Sequence, residues 1–402
     1  MRHLTVTFII LKSFFAFTQD FSNLPVHSIE EKADFSFFEP ILKDKRVVLL
    51  GEMTHGDGAA FRLKTDLVKY LHKELGYNVL ALEDGMYSFL KWSEKMDKGQ
   101  AEFEDILKSM PYQWSNSFEM QELFSYLKEN PDLVFIGCDN IDDYQYLDVF
   151  LSEVDSLAKA LQIPVYESFD QDLAFLLKYR ASKPIEDENK EALLTYLSRM
   201  SLELQAKKPS IRNTFWIRVL DGLKVHASEW WDVTTHTKPD WFDYRVHDST
   251  MALNIQWLMN ERYKNEKIIV WAANMHIARN VPTKVKSHKY FKNENTVVVG
   301  DYLEDLIGDD FFSVATISYS GKYLHNADYH IQTIKEKSKR TLEYHLAKSH
   351  EKAFVDFSNH RNLGTFKMSG VLHYLELKGE WTNVYDGVLF IKEMTPATYP
   401  ER

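Results

Sequence analysis

The stretch from residue 46 to residue 83 is the feature that most constrains the fold. Two short apolar runs, 46–51 and 78–83, are bounded by glycine, turn residues or acids, as is typical of buried strands. Between them, apolar residues recur at roughly three-to-four spacing, which predicts an amphipathic helix ended by Gly76: Phe61, Leu63, Leu67, Val68, Leu71 and Leu75. A strand–helix–strand of this length requires a right-handed parallel crossover, so both strands point the same way.

Polar side chains collect at the carboxyl ends of these two strands. Glu52, Thr54, His55 and Asp57 follow the first strand, and Glu83 ends the second. Open α/β sheets place ligands and chemistry at this edge. An acid that ends an apolar strand is costly to bury alone, so Glu83 must be solvated in a cleft or paired.

A histidine beside a carboxylate can accept a proton from water near neutral pH, because the ordinary pKa of imidazole is about 6.5. His55 is therefore the predicted general base. Glu52, or Glu83 from the neighbouring strand, would orient its ring. The alternative for Glu52 is to accept hydrogen bonds from the backbone amides of its own turn.

The rest of the chain alternates strand and helix patterns. Residues 132–140 read as a third buried strand, and Asp139 near its end either faces the same cleft or caps the next helix. Helical spacing dominates an inserted region at about 145–245. Later apolar runs predict further strands: 267–274, 296–300, 311–319, 374–379 and 386–393. The fold class predicted is α/β, with a mainly parallel sheet flanked by helices in one domain over 20–402.

The aromatic segment 228–244 has two interpretations. It is rich in aromatic and polar residues, with Pro239 to break a helix, which favours a lid or binding loop. The alternative is packing of its large rings on the core, as is common for such side chains: Trp230, Trp231 and Trp241.

Charge and cysteine content exclude several classes of protein. A net charge of −11 over 402 residues argues against a nucleic-acid partner. The single cysteine, Cys138, cannot form an intramolecular disulfide or a cysteine-based zinc cluster, and its apolar run predicts a buried packing thiol. Nothing in the sequence indicates the oligomeric state.

The amino terminus has the outline of a secretory signal peptide over residues 1–19. A basic start, an apolar stretch and polar residues follow one another, which predicts export to the periplasm or the medium. The alternative is an amphipathic helix on a cytoplasmic protein. Elsewhere no window holds eighteen uninterrupted apolar residues, so no membrane span is expected.

Three blocks in order resemble the erythromycin esterase family of macrolide esterase-like hydrolases. The first is GEMTHGDGAAFRLKTDLVKYLHKELGYNVLALE, with the family's GExTHG turn, helix and strand ending in glutamate. The second is HDSTMALNIQWLMNERYKNEKIIVWAANMHIAR at 247–279, similar to the family's MAxN helix, strand and N-x-H-I turn. The third is VYDGVLFIKEMTPA at 384–397, which resembles the closing strand.

The resemblance implies an active site and a mechanism. The family's catalytic positions fall on Glu52, His55, Glu83 and His276. The implied chemistry is attack of base-activated water on an ester or lactone, without an acyl intermediate, a metal or a cofactor. His276 would polarise the carbonyl or protonate the leaving alkoxide. A macrolide macrolactone is one candidate substrate, which would imply antibiotic resistance.

Candidate substrate-binding residues follow from the same blocks. Lys64 stands at the offset where some family members carry arginine, and a lysine lacks the bidentate fork. Arg62 nearby and Asn274 are the other candidates. For Arg62 and Lys64 the alternative is a solvated helix face. His247 stands where the family often has arginine before an aspartate, and we expect it on the surface.

Three alternative functions stay open. The first is a metal-dependent hydrolase that uses the four polar residues as zinc or manganese ligands, although no H-E-x-x-H or H-x-H pair is present. The second is a non-catalytic protein that binds a small molecule. The third is a serine hydrolase, which would need an unusual nucleophile elbow because no G-x-S-x-G motif occurs.

Overall fold

The computed structural model describes most of the chain after the amino-terminal twenty residues. The described residues are 21–29, 34–139, 147–178, 187–235, 244–286, 296–325 and 330–401. The predicted signal peptide at 1–19 lies outside them. Within these ranges, every helix is too short or too polar to cross a membrane.

Twelve strands form two sheets in the described part of the chain. In chain order they are β1 (Val26–Ser28), β2 (Val47–Glu52), β3 (Tyr77–Gly85), β4 (Val134–Asp139), β5 (Lys267–Ala273), β6 (Val285–Lys286), β7 (Phe311–Leu324), β8 (Ile331–Ile334), β9 (Lys352–Asp356), β10 (Phe366–Met368), β11 (Leu377–Gly379) and β12 (Gly387–Met394).

Fifteen α-helices are described. They are α1 (Phe38–Leu42), α2 (Gly58–Leu75), α3 (Met86–Asp97), α4 (Phe103–Leu107), α5 (Tyr112–Ser115), α6 (Gln121–Glu129), α7 (Leu147–Ala160), α8 (Phe169–Lys178), α9 (Asp187–Gln205), α10 (Ile211–Thr235), α11 (Tyr244–Trp257), α12 (Asn274–Ile277), α13 (Val281–Lys284), α14 (Val299–Ile307) and α15 (Leu342–Leu346).

The main sheet is mostly parallel, as the sequence predicts. Its order is β1-β9-β12-β7-β2-β5-β3-β4, with β8 paired to β7. The six strands from β12 to β4 are parallel to their neighbours, and β1, β8 and β9 add antiparallel pairs. The predicted α/β class is confirmed. A small antiparallel sheet, β10-β11-β6, covers one flank.

The first crossover forms as predicted, but its two strands are not neighbours. β2 is buried along its whole length and leads through the turn into α2, which Gly76 ends in a left-handed conformation at φ 70°. β3 then runs parallel, but β5 lies between it and β2. The expectation that Glu83 comes from the adjacent strand is therefore wrong, because a later strand pairs with both β2 and β3 and separates them.

The described residues between β4 and β5 are mainly helical, and short irregular segments join the five helices α7 to α11. Residues 228–235 end α10, so the first half of the predicted aromatic loop is helical. The rest, 236–243 with Trp241, lies outside the described residues, as do the side chains of Trp230 and Trp231. A turn of π-helix, Leu258–Arg262, follows α11 before the chain enters β5.

The predicted strand at 296–300 is wrong. Residues 296–298 are irregular, and Val299 begins α14. The Asp301 carboxylate accepts a hydrogen bond from the Val298 amide at 3.0 Å, which caps this helix. Short β-branched runs favour strands, but here the helix cap and the tertiary contacts determine that the segment enters a helix. Several short strands outside the parallel core were not predicted: β1, β6, β8, β9 and β10.

Candidate active site

Three parallel strands bring the predicted polar residues together at one edge of the sheet. Glu52 ends β2, and His55 lies in the turn that follows. Glu83 lies near the end of β3, and His276 lies in α12 directly after β5. Because β5 separates β2 from β3, His276 approaches between the other two groups.

Both histidine rings point an Nε2 atom at the same carboxylate oxygen. His276 Nε2 lies 3.2 Å from Glu83 Oε1, and His55 Nε2 lies 3.5 Å from it. The other oxygen of Glu83 accepts a hydrogen bond from the backbone amide of Ala273 at 2.7 Å, which fixes the carboxylate to β5. His55 Nδ1 lies 3.0 Å from Glu52 Oε1. The His55 ring thus faces a carboxylate at both nitrogens.

Lys64 completes one end of this arrangement. Its ammonium group donates to Glu52 Oε2, and both side chains are fully buried. The Nζ atom also lies 3.9 Å from the centre of the Trp271 ring, a cation–π contact. The solvated helix face that was the alternative for Lys64 is therefore wrong, because the side chain is buried against Glu52 and Trp271.

Asp248 completes the other end, and sequence reasoning did not select it. Asp248 Oδ2 lies 2.9 Å from His276 Nδ1 and accepts the Val299 amide at 3.0 Å. Asp248 Oδ1 lies 3.1 Å from His247 Nδ1. His247 is 5% exposed, with its Nε2 3.0 Å from Asp139 Oδ1. The surface position expected for His247 is therefore wrong, because two carboxylates from different elements enclose its ring.

These contacts form one series in which bases and acids alternate. We call it the charge series; its members, in order of contact, are Lys64, Glu52, His55, Glu83, His276, Asp248, His247 and Asp139. Buried charges are tolerated when each is paired and hydrogen-bonded. Alternation satisfies that condition along the whole series.

The neighbouring carboxylates raise the pKa of the two histidines that face Glu83. Burial lowers the pKa of His55, but the charges of Glu83 and Glu52 outweigh burial and raise it to about 10. Burial acts the same way on His276, and Asp248 and Glu83 raise its pKa well above the ordinary value. Burial lowers the pKa of Lys64 to about 8, even though Glu52 opposes the change.

The acids respond in the opposite sense. Burial would raise the pKa of Glu83, but His276 and His55 hold it well below the ordinary range. Burial likewise opposes a low pKa for Asp248, which His276 and His247 nevertheless bring below its ordinary value. These shifts favour ion pairs between Glu83 or Asp248 and the histidines beside them.

The sequence profile of erythromycin esterases matches residues 72–394, well over half of the chain. This chain belongs to the erythromycin esterase family. Membership supports a hydrolase activity.

Curated relatives and solved structures agree with this assignment. The chain is 26% identical over 399 residues to the putative hydrolase YbfO of Bacillus subtilis (strain 168), covering 90% of this chain and 87% of that protein. It is 23% identical over 323 residues to the erythromycin esterase type II of Escherichia coli, covering 73% and 74%.

Two solved structures share the fold. A mutant of the erythromycin esterase EreC in its open conformation superposes with a TM-score of 0.69 at 16% identity, over 93% of this chain and 99% of that chain. A protein from Bacillus cereus superposes with a TM-score of 0.63 at 19% identity, over 93% and 97%.

Two residues predicted to bind substrate in this family member have other contacts. Arg62 is 55% exposed, and its guanidinium pairs with Glu119 Oε1 at 2.9 Å. It projects from α2 about 200° around the helix from Lys64. The side-chain amide of Asn274 is buried and donates to the carbonyl oxygens of Thr316 and Gly370 at 2.8 and 3.1 Å. The geometry favours a structural role for both.

Two further buried side chains lie near these strand ends. Trp114 is buried and meets the His55 ring edge-on, with ring centres 4.6 Å apart. Cys138 is fully buried with its Sγ donating to the Leu82 carbonyl at 3.2 Å. Burial raises its pKa well above the ordinary value, so the prediction of a packing thiol is confirmed.

Metal binding at this site was an alternative raised by the sequence. In the described part of the chain, His247, Asp248 and His276 have ligand atoms within 4.8 Å of one another. Both Nδ1 atoms in that group are hydrogen-bonded to Asp248. A metal-bound histidine commonly keeps such a hydrogen bond from Nδ1 to a carboxylate. An ion there would bind the Nε2 atoms, and it would have to replace their protons and their contacts with Asp139 and Glu83.

Proposed function

We propose that this chain is a carboxylic ester hydrolase that cleaves an ester or a lactone with water activated by His55. One observation carries the proposal. Two imidazole Nε2 atoms converge on Glu83 at the carboxyl ends of parallel strands, and each ring is fixed through Nδ1 by a second carboxylate. This arrangement supplies a proton acceptor and a proton donor a few ångströms apart.

The proposed reaction uses the two histidines in turn. His55 is deprotonated at Nε2 and held by Glu52 at Nδ1. It takes a proton from a water molecule while the oxygen of that water attacks the carbonyl carbon. The tetrahedral intermediate collapses with cleavage of the carbon–oxygen bond to the alkoxy group. His276 donates its Nε2 proton to the departing oxygen, giving a carboxylic acid and an alcohol. Proton return from His55 to His276 through Glu83 or solvent restores the site.

The resting charges predict how the rate depends on pH. Because the pKa of His55 is about 10, only a small fraction of the enzyme holds the base form at neutral pH. We therefore expect kcat/KM to rise about tenfold per pH unit from pH 7 toward pH 9, provided that His55 is the base. A rate that is flat or falls over this interval assigns the base to another group.

The names of the relatives guide the choice of substrates. One relative is an erythromycin esterase, so macrolactones belong in the test panel beside simple aryl and alkyl esters. The family chemistry supports an ester or lactone bond, and the panel identifies which ester is cleaved.

The test is hydrolysis of that panel by purified protein, with and without chelator, beside His55→Gln. The matched control is His72→Gln, a buried histidine on α2 whose Nδ1 contacts the Tyr126 hydroxyl at 2.7 Å, outside the charge series. We expect chelator-insensitive turnover that falls about 10²–10⁴-fold in His55→Gln and is retained in the control. Equal activity of the two variants contradicts the proposal.

A metal-dependent hydrolase is the second candidate. The observation that favours it is the convergence of His55 Nε2, His276 Nε2 and Glu83 Oε1, since two imidazoles and a carboxylate are a common ligand set for zinc. Turnover that disappears with chelator and returns with added zinc or manganese would establish it.

A further inference from the structure

The loop between β10 and β11 holds an unusual backbone conformation. We call residues 369–374 the clamp loop. Three successive residues other than glycine have positive φ: Leu372 at 55°, His373 at 48° and Tyr374 at 62°. A left-handed conformation is unfavourable for residues with a Cβ atom. Such a conformation persists only where its surroundings impose it, and it is concentrated at functional sites.

The clamp loop contacts the turn that carries Glu52 and His55. The Tyr374 hydroxyl donates to Asp57 Oδ2 at 2.7 Å. The same oxygen accepts the backbone amides of Met53 and Thr54 at 3.1 and 3.0 Å. Asp57 is fully buried, so this set of hydrogen bonds decides the shape of the turn between Glu52 and His55.

The clamp loop also contacts the turn that carries His276. The Gly370 carbonyl accepts the side-chain amide of Asn274 at 3.1 Å and the Tyr385 hydroxyl at 2.9 Å. Asn274 begins α12, two residues before His276, and its own carbonyl lies 3.1 Å from the Tyr385 hydroxyl. A Cβ atom on Gly370 would lie 2.9 Å from the Trp381 ring, so only glycine fits this approach.

Two buried side chains anchor the clamp loop itself. Glu343 Oε1 accepts the Ser369 amide at 2.6 Å, and the Lys337 ammonium donates to the Tyr374 carbonyl at 2.6 Å. Glu343 is fully buried and Lys337 is 7% exposed. Hydrogen bonds to buried side chains therefore fix the clamp loop at both its first and its last residue.

From these contacts we infer that the clamp loop sets the distance between the two histidines, with Tyr374 and Tyr385 as positioning residues. Tyr374 acts through Asp57 on His55, and Tyr385 acts through Gly370 and Asn274 on His276. The catalytic meaning of this positioning rests on the proposed function. The positioning itself can be measured without any substrate.

The test uses ring ¹⁵N signals of histidine-labelled protein at one pH. The signals of His55 and His276 are assigned by their loss in His55→Gln and His276→Gln. Tyr374→Phe should shift the His55 signals, and Tyr385→Phe should shift those of His276. The control is Tyr77→Phe, a buried tyrosine whose hydroxyl donates to the Lys45 carbonyl at 2.8 Å at the opposite edge of the sheet. It should move neither set.

On a substrate that the protein hydrolyses, Tyr374→Phe should lower kcat about 10- to 100-fold with a smaller change in KM, because a small displacement of a catalytic group is costly. Shifts that are equal in all three variants, or absent in all, overturn the inference. If no ester is hydrolysed but the ring signals shift as stated, the positioning stands and only the proposed function fails.

Discussion

Asp248 shows how one carboxylate can fix two rings at once. Its two oxygens face the Nδ1 atoms of His276 and His247 at 2.9 and 3.1 Å. An additional bond from the Val299 amide holds the carboxylate in place. Because Nδ1 of His276 is engaged, its Nε2 is directed toward Glu83, where a reacting oxygen would need a proton.

Asp248→Asn should separate the role of the negative charge from that of the size and shape of the side chain. The two Nδ1–H groups face different oxygens of Asp248, so in asparagine one of them would face the NH2 group, which cannot accept, and that ring must turn or lose a proton. We expect kcat to fall about 10²–10⁴-fold and the pKa of His276 to decrease. Rate measurements and the ¹⁵N titration of His276 check this. Asp139→Asn, which alters only the far end of the charge series, should have a smaller effect on kcat. If the two variants are equal, Asp248 has no special role.

For individual residues, the sequence predicts well which polar side chains lie at the strand ends. Glu52, His55, Glu83 and His276 follow apolar runs whose direction can be read, and parallel strands deliver their ends to one edge. Asp248 lies inside helix α11, where no local pattern distinguishes it from a solvated acid. Apart from the adjacent His247, its partners belong to α12 and α14, so only the tertiary fold reveals its role.

Among the elements, the junction of β2 with α12 depends on a glycine. A Cβ atom on Gly51 would lie 2.3 Å from Asn274 Oδ1 and 2.7 Å from Ile277 Cδ1. The absence of a side chain lets the Asn274 amide reach β7, where its Oδ1 accepts the Thr316 amide at 3.0 Å. The glycine of the GExTHG turn is thus explained by close packing rather than by φ.

A double-mutant cycle tests this explanation. Gly51→Ala should destabilise the fold, because the added methyl group must displace the Asn274 side chain. In an Asn274→Ala background the same change should cost less, giving a coupling free energy of about 1–3 kcal/mol. Urea unfolding of the four proteins measures it. Additive losses would mean that the two side chains do not compete for the same space.

Prediction of elements succeeds where the pattern is long and fails where it is short. The crossover from β2 through α2 to β3 combines two buried strands with an amphipathic helix, and it forms as predicted. The run at 296–300 has strand-like composition, yet Val298 caps α14 and the helix begins at Val299. The insertion of β5 between β2 and β3 depends on pairing between distant segments, which local composition does not encode.

For the whole molecule, the buried groups with raised pKa values make the free energy of unfolding fall as the pH rises. The histidines of the charge series have raised pKa values, so their contribution to stability is complete below pH 6.5 and is lost as pH rises through the folded-state pKa, about 10 for His55. Burial raises the pKa of Asp57 and Glu343 to about 7, so folding becomes more costly as these acids ionise between about pH 4 and 7.

These groups together predict that the melting temperature falls between pH 6 and pH 8. Lys64 acts in the opposite sense, but mainly above its folded-state pKa of about 8. Calorimetry or circular dichroism across this interval measures the slope.

Glu343→Gln removes one contributor while keeping an acceptor for the Ser369 amide. At pH 8 it should raise the unfolding free energy by about 1–3 kcal/mol, since one pKa unit corresponds to about 1.4 kcal/mol. At pH 4 the two proteins should be nearly equal. A constant difference at both pH values would place the effect in packing, and a melting temperature that rises from pH 6 to pH 8 would show that the charge series does not govern stability.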